Sequence, residues 1–241
     1  MQQFETQRDL RGLGLAKKQN RKTAAADWLS LWFSRGSDID GLWVGTTESK
    51  PHPGLRRVED ALQLIKRHDS LHYSRVIHNL ERVWVRLLPT ARACYDRSLK
   101  ACVLDERYIL PETTTLERIA CTIIHEATHA RLERWGINYG EKKRSRIEAV
   151  CLRRELHFIA KLPRGEQLWD ERALTLEWCI SDHDHFSDGS FQQRNLQGAV
   201  ETLRYLDVPD WLIRFLLKVR AVVSGVHQLV HRVAGRPRRK A

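Results

Sequence analysis

TTLERIACTIIHEATHARLERWG, residues 114–136, is the stretch on which the reading of this chain turns. Leu116, Ile119, Ala120, Ile123, Ile124, Ala127 and Leu132 recur near helical spacing, so the segment is expected to be a helix with one apolar side. Thr114 and Glu117 stand in the positions of a capping box, in which each side chain satisfies an orphan backbone N–H. Gly136 is the expected stop, and Pro111 sits where a preceding strand would end. Within the helix, His125 and His129 are four residues apart and share a face, since each residue turns the helix by about 100°. Two imidazole nitrogens on one face can grip one metal ion, and neutral imidazole suits Zn²⁺. Glu126 lies one position round from His125, placed to act as a base toward a water at the metal. Composition alone would supply H-E-x-x-H in roughly 3 of 100 chains like this one, so the helical context carries much of the weight.

A catalytic metal site needs a third protein ligand and an open position. Gly136, Asn138 and Gly140 suggest a turn, and a second helix is expected over about Glu141–Leu162, ending before Pro163. If the two helices run antiparallel, His129 lies about 10 Å before the turn and Glu148 about 10 Å after it. The two then meet at one depth. Glu141 is too near the turn, and Glu155 is about two turns deeper than Glu148. Glu148 also sits in Ile147-Glu148-Ala149-Val150-Cys151-Leu152, the least polar part of a basic helix, where a buried carboxylate needs a counter-charge.

With His125, Glu126, His129 and Glu148 in view, residues 100–160 resemble the gluzincin branch of zinc metallopeptidases. The chain is similar to small bacterial zincin-like proteins and has no segment matching a large thermolysin-like N-terminal domain. The resemblance implies that His125, His129 and Glu148 bind Zn²⁺ and that Glu126 is the general base of peptide-bond hydrolysis. It also implies a predominantly helical α+β fold, zincin-like, with a short sheet packed on the motif helix and a second ligand-bearing helix after it.

The organisation expected from the whole chain is an N-terminal basic, helical extension (1–35), a zincin-like metal-binding domain (55–205), and an amphipathic helix with a basic tail (206–241). Lys22–Ser34 is expected to be helical with Trp28, Leu29 and Trp32 on its apolar side, and Gly36–Gly54 an irregular loop. Val58–His68 and Ser70–Glu81 are expected helices, and Arg82–Leu88 and Ala101–Leu110 strands. The second strand is a candidate to border the cleft and pair with an extended substrate. Gln167–Ile180 is expected to be helical. Ser181–Gly189 reads as a polar turn or capping loop, with a second metal or transition-state stabilisation at His183 and His185 as the less favoured reading. His157, Tyr108 and Tyr139 are candidates for polarising a substrate carbonyl. The pairs His68/His72 and His227/His231 lack a neighbouring Glu base and read as ordinary histidines. Trp211–Val233 is amphipathic, which usually means packing against a core, with an anionic membrane as the rival surface.

No secretory signal or membrane span is visible, and five cysteines without close spacing fit a reduced, cytoplasmic setting. The formal net charge of +11 is uneven: Arg131–Arg164 holds 10 basic and 4 acidic residues, and Arg232–Lys240 holds 5 basic and none acidic. The first cluster suits an acidic peptide or protein substrate. The tail suits non-specific contact with nucleic acid or an anionic membrane, without a nucleic-acid fold motif. Two rival classes stay open: a non-catalytic zinc-stabilised protein, and a basic protein working through its tail.

Overall fold

A computed structural model describes residues 25–48, 52–89, 91–181 and 184–220. Helix α1 (Ala25–Phe33) leads into strands β1 (Arg35–Ile39) and β2 (Leu42–Thr46), then helices α2 (Pro53–His68) and α3 (Ser70–Asn79). Strands β3 (Arg82–Arg86), β4 (Ala93–Asp96) and β5 (Ala101–Asp105) follow, with a short α4 (Glu106–Ile109). Then come α5 (Leu116–Arg134), a 3₁₀ turn (Glu141–Lys143), α6 (Arg144–Ile159), α7 (Glu166–Ser181), a second 3₁₀ turn (Asp184–Phe186) and α8 (Asp188–Tyr205). Residues 210–220 are again helical. The protein is therefore α+β and mainly helical.

The sheet runs β1-β2-β3-β5-β4. Its centre, β2-β3-β5, is parallel, while β1 and β4 close the two edges antiparallel. Parallel neighbours need a long crossover, and α2 with α3 supplies the one from β2 to β3. Successive strand side chains point to opposite faces, and the core follows that alternation. Leu42, Val44, Val83, Val85, Cys102 and Leu104 pack beneath the helices with Ile119, Ile123 and Ile124 of α5. Trp84, Ala101 and Val103 form a smaller cluster on the other face, joined by Leu31 and Trp43. Trp84 is fully buried there and donates its indole N–H to Ser34 Oγ at 3.0 Å. Trp84→Ala is expected to destabilise the fold by about 3–5 kcal/mol, read as a lowered midpoint in urea unfolding.

Several expectations are corrected. Gly36–Gly54 is not an irregular loop, because its first half is the β1–β2 hairpin. Its two-residue turn is Asp40-Gly41, both with positive φ (53° and 85°), the geometry that right-handed strand twist favours. The hairpin lies ahead of residue 55 yet belongs to the same sheet. The motif helix is capped by Thr115, whose hydroxyl accepts from Arg118 N–H, so Thr114 and Glu117 form no capping box. At its other end the expectation holds: Gly136 has φ 74°, with Gly136 N–H on Glu133 O and Ile137 N–H on Leu132 O. That is a Schellman stop, sealed by Ile137 packing in one cluster with Leu132. Strand β5 ends at Asp105, which caps α4, rather than running to Leu110. Trp28, Leu29 and Trp32 face solvent, Trp32 at 84% exposure, and Leu31 is the α1 residue that packs on the sheet. In 210–220 Ile213 is the buried residue, while Trp211, Phe215, Leu216 and Val219 are exposed instead of packed. The rest of that amphipathic stretch, His227/His231 and the basic tail lie outside the described residues. Among the described residues no helix is long and apolar enough to cross a membrane, and the five cysteines are free thiols.

Candidate metal centre

Helix α5 lies across the sheet with its apolar side down, which turns His125, Glu126 and His129 toward α6 and strand β4. The 3₁₀ turn then reverses the chain, and α6 packs against α5. Glu148 arrives at the depth expected of it. One of its oxygens is 3.1 Å from His125 Nε2 and the other 3.3 Å from His129 Nε2. Tetrahedral N and O ligands at about 2.0–2.1 Å from a common centre stand about 3.3 Å apart, so each histidine–carboxylate pair, made through a different Glu148 oxygen, has the spacing of two ligands of a small divalent ion such as Zn²⁺. The chemistry fits as well: two imidazoles and one carboxylate, buried together, with His129 the most open at 15% side-chain exposure.

The charges in this cluster are strongly coupled. Burial alone would push the Glu148 carboxyl up, but His129 and His125 beside it hold it well below the ordinary range. For His125, burial favours the neutral ring, and the hydrogen bonds to Glu148 and Glu155 more than reverse that. A cation between the imidazoles and Glu148 would take over the protons' part in neutralising the carboxylate. Glu126 differs from its neighbours. Its buried carboxyl is pushed up by desolvation, against which the two histidines and the Tyr95 backbone N–H of β4 act. Neither imidazole is paired with it: both face Glu148, and His125 also faces Glu155.

Glu155, set aside by depth as a ligand, proves to be a support. It accepts from His125 Nδ1 at 2.6 Å, and its other oxygen pairs with Arg172 Nε of α7 at 2.9 Å. Counted from the turn, His125 is one turn deeper than His129 and Glu155 two turns deeper than Glu148, so equal depth does not predict this pair. Such a carboxylate fixes the ring's orientation and tautomer, leaving Nε2 for a metal. Glu155→Ala is expected to weaken metal binding about 10–100-fold, measured by chelator competition, with Glu155→Gln recovering part of the loss.

Tyr139 is the one of the three carbonyl-polarising candidates found here: its hydroxyl donates to Glu148 at 2.5 Å, and its ring meets His129 edge-on. Tyr108 instead bonds Arg118 O and Thr122, and His157 lies 3.6 Å from Asp69 on α6's other side. Asp69, His72 and His157 also cluster within metal-ligand distance, but Lys161 Nζ already sits 2.8 Å from Asp69. A residue the motif reading missed is Cys151, one turn beyond Glu148, whose Sγ lies within 4.8 Å of nitrogens of both His125 and His129. Its spacing from Glu148 was the signal. His185 packs edge-on against Trp178, away from the centre, and Ser187 of the same loop caps α8. His183 lies outside the described residues.

The strand beside the centre is β4, not β5. β5 is interior, paired on both sides, whereas β4 has β5 on one side and no strand on the other among the described residues. Ala101–Leu110 is therefore not the edge strand beside the centre; Ala93–Asp96 is. No family model, no curated protein and no solved structure matches the chain.

Proposed function

We propose that the protein is a zinc-dependent peptidase of zincin-like type, with His125, His129 and Glu148 as ligands and Glu126 as general base. The observation that carries this is the convergence of both imidazole Nε2 atoms on one buried carboxylate, with a second, unligated carboxylate beside them. A zinc ion held by that donor set would lower the pKa of a water toward 7 and polarise a carbonyl. Glu126 takes the proton from the attacking water and returns it to the leaving nitrogen. Its raised affinity for a proton, which comes from burial, suits both transfers. Glu155 and Arg172 hold His125 in orientation, and Tyr139 does the same for Glu148. The open edge of β4 suits an extended peptide, which would add as a strand next to Glu126. Basic residues of Arg131–Arg164 favour acidic chains. The test is hydrolysis of an unfolded acidic protein by zinc-loaded enzyme. Cleavage abolished by a chelator and restored by Zn²⁺ supports the proposal; zinc-loaded enzyme that cuts nothing overturns it.

A second reading has one observation behind it. Cys151 groups with His125 and His129 within 4.8 Å, so a thiolate ligand is within reach of both imidazoles, and closed shells belong to structural rather than catalytic sites. Under that reading zinc is retained and chelation unfolds the protein without any activity to lose.

A further inference from the structure

On a face of α5 next to the one that carries His125 and His129, α3, α5 and α6 line a cavity of about 40 Å³. Its floor is apolar, made by Val76, Ile124 and Val150, but its walls carry Arg75, Arg131, Arg154 and His72. None of the three arginines has a carboxylate partner among the described residues. Arg75 is depressed below the usual guanidinium range first by burial and then by the like charges of Arg131 and Arg154. Two polar atoms there are buried and unsatisfied: Arg75 Nη1 and His72 Nε2. His72 is 2% exposed, and its Nδ1 is engaged by Asp69 at 2.6 Å, which leaves Nε2 as the free end of the ring. Asp69, the nearest acid, is already committed to Lys161 and to the backbone of His72.

Buried donors are normally paired, and Arg75 Nη1 is one without a partner, with the half-buried Arg131 and the exposed Arg154 adding like charge beside it. A small anion would accept from Arg75 Nη1 and offset the three like charges, and a protonated oxygen on it would donate to His72 Nε2. The space is about three times what one water needs, enough for a phosphoryl group and too little for the molecule attached to it. Trp135 stands at the rim, 62% exposed, with Arg131 stacked on its ring at 4.5 Å. We infer that this cavity binds the phosphoryl group of a small phosphorylated molecule, with Arg75, Arg131 and Arg154 on the oxygens and Trp135 against the molecule's body. Arginine's planar fork matches phosphate oxygens two at a time, and a doubly charged group answers three cations better than a carboxylate does.

The inference does not depend on the zinc reading, and its test reads binding alone. Purified full-length protein is titrated with phenyl phosphate, inorganic phosphate and benzoate by calorimetry. Phenyl phosphate is expected to bind at one site, tighter than phosphate, with benzoate weakest. The double variant R131Q/R154Q, which keeps the side-chain stems, is expected to lose at least about tenfold in affinity for both phosphates. R146Q/R153Q makes the same charge change at exposed positions away from the cavity and is expected to leave affinity unchanged. W135A is expected to erase the preference for phenyl phosphate over phosphate. Because phosphate can also ligate zinc, the titration is repeated on H129A, where binding is expected to persist. No saturable binding, equal losses in the two double variants, or binding abolished by H129A but not by R131Q/R154Q would each overturn the proposal.

Discussion

Glu126→Gln is expected to lower hydrolysis about 10²–10⁴-fold with zinc still bound. Glutamine keeps the shape of the side chain in its buried position, so the two imidazoles and Glu148 keep their geometry. What it loses is the ability to take a proton from water and deliver it to the leaving nitrogen. The check is paired: initial rates on an unfolded acidic protein and zinc per chain on the same preparation. A variant as active as the native enzyme removes Glu126 from the mechanism; a variant without zinc shows that its side chain supports the metal instead.

His129→Ala has the larger effect on the metal itself. It removes one of the three proposed ligands and leaves Glu148 buried with a single imidazole partner. If the ligands share a binding energy on the order of 10 kcal/mol, losing one weakens affinity by roughly 10²–10³-fold. Elemental analysis after gel filtration is expected to find zinc in the native protein and little in the variant. Retention of a full equivalent would mean that Cys151, which lies within reach of the same centre, can replace the imidazole.

The centre was legible in the sequence because its parts are local. Helical periodicity alone places His125, Glu126 and His129, and a count of residues from one turn places Glu148. The same count did not mark Glu155, which lies about one turn deeper than His125 and meets it all the same. What stayed hidden depends on pairing between distant segments. Nothing local says that β4 rather than β5 forms the edge, since strand order is set by which faces bury Val83 and Cys102 beneath α5. The arginine cavity likewise draws on three helices whose mutual packing no single stretch encodes. One miss was avoidable. Asp40-Gly41 between Ile39 and Leu42 is a strong local sign of a hairpin, obscured by the prolines that follow it.

Zinc K-edge absorption on the protein as purified tests the central claim most directly, because it reads ligand type and distance together. The account predicts one zinc per chain with nitrogen and oxygen neighbours at about 2.0–2.2 Å and no sulfur. A sulfur neighbour at about 2.3 Å would put Cys151 in the shell and make the centre structural, and native protein that takes up no zinc would contradict the account outright.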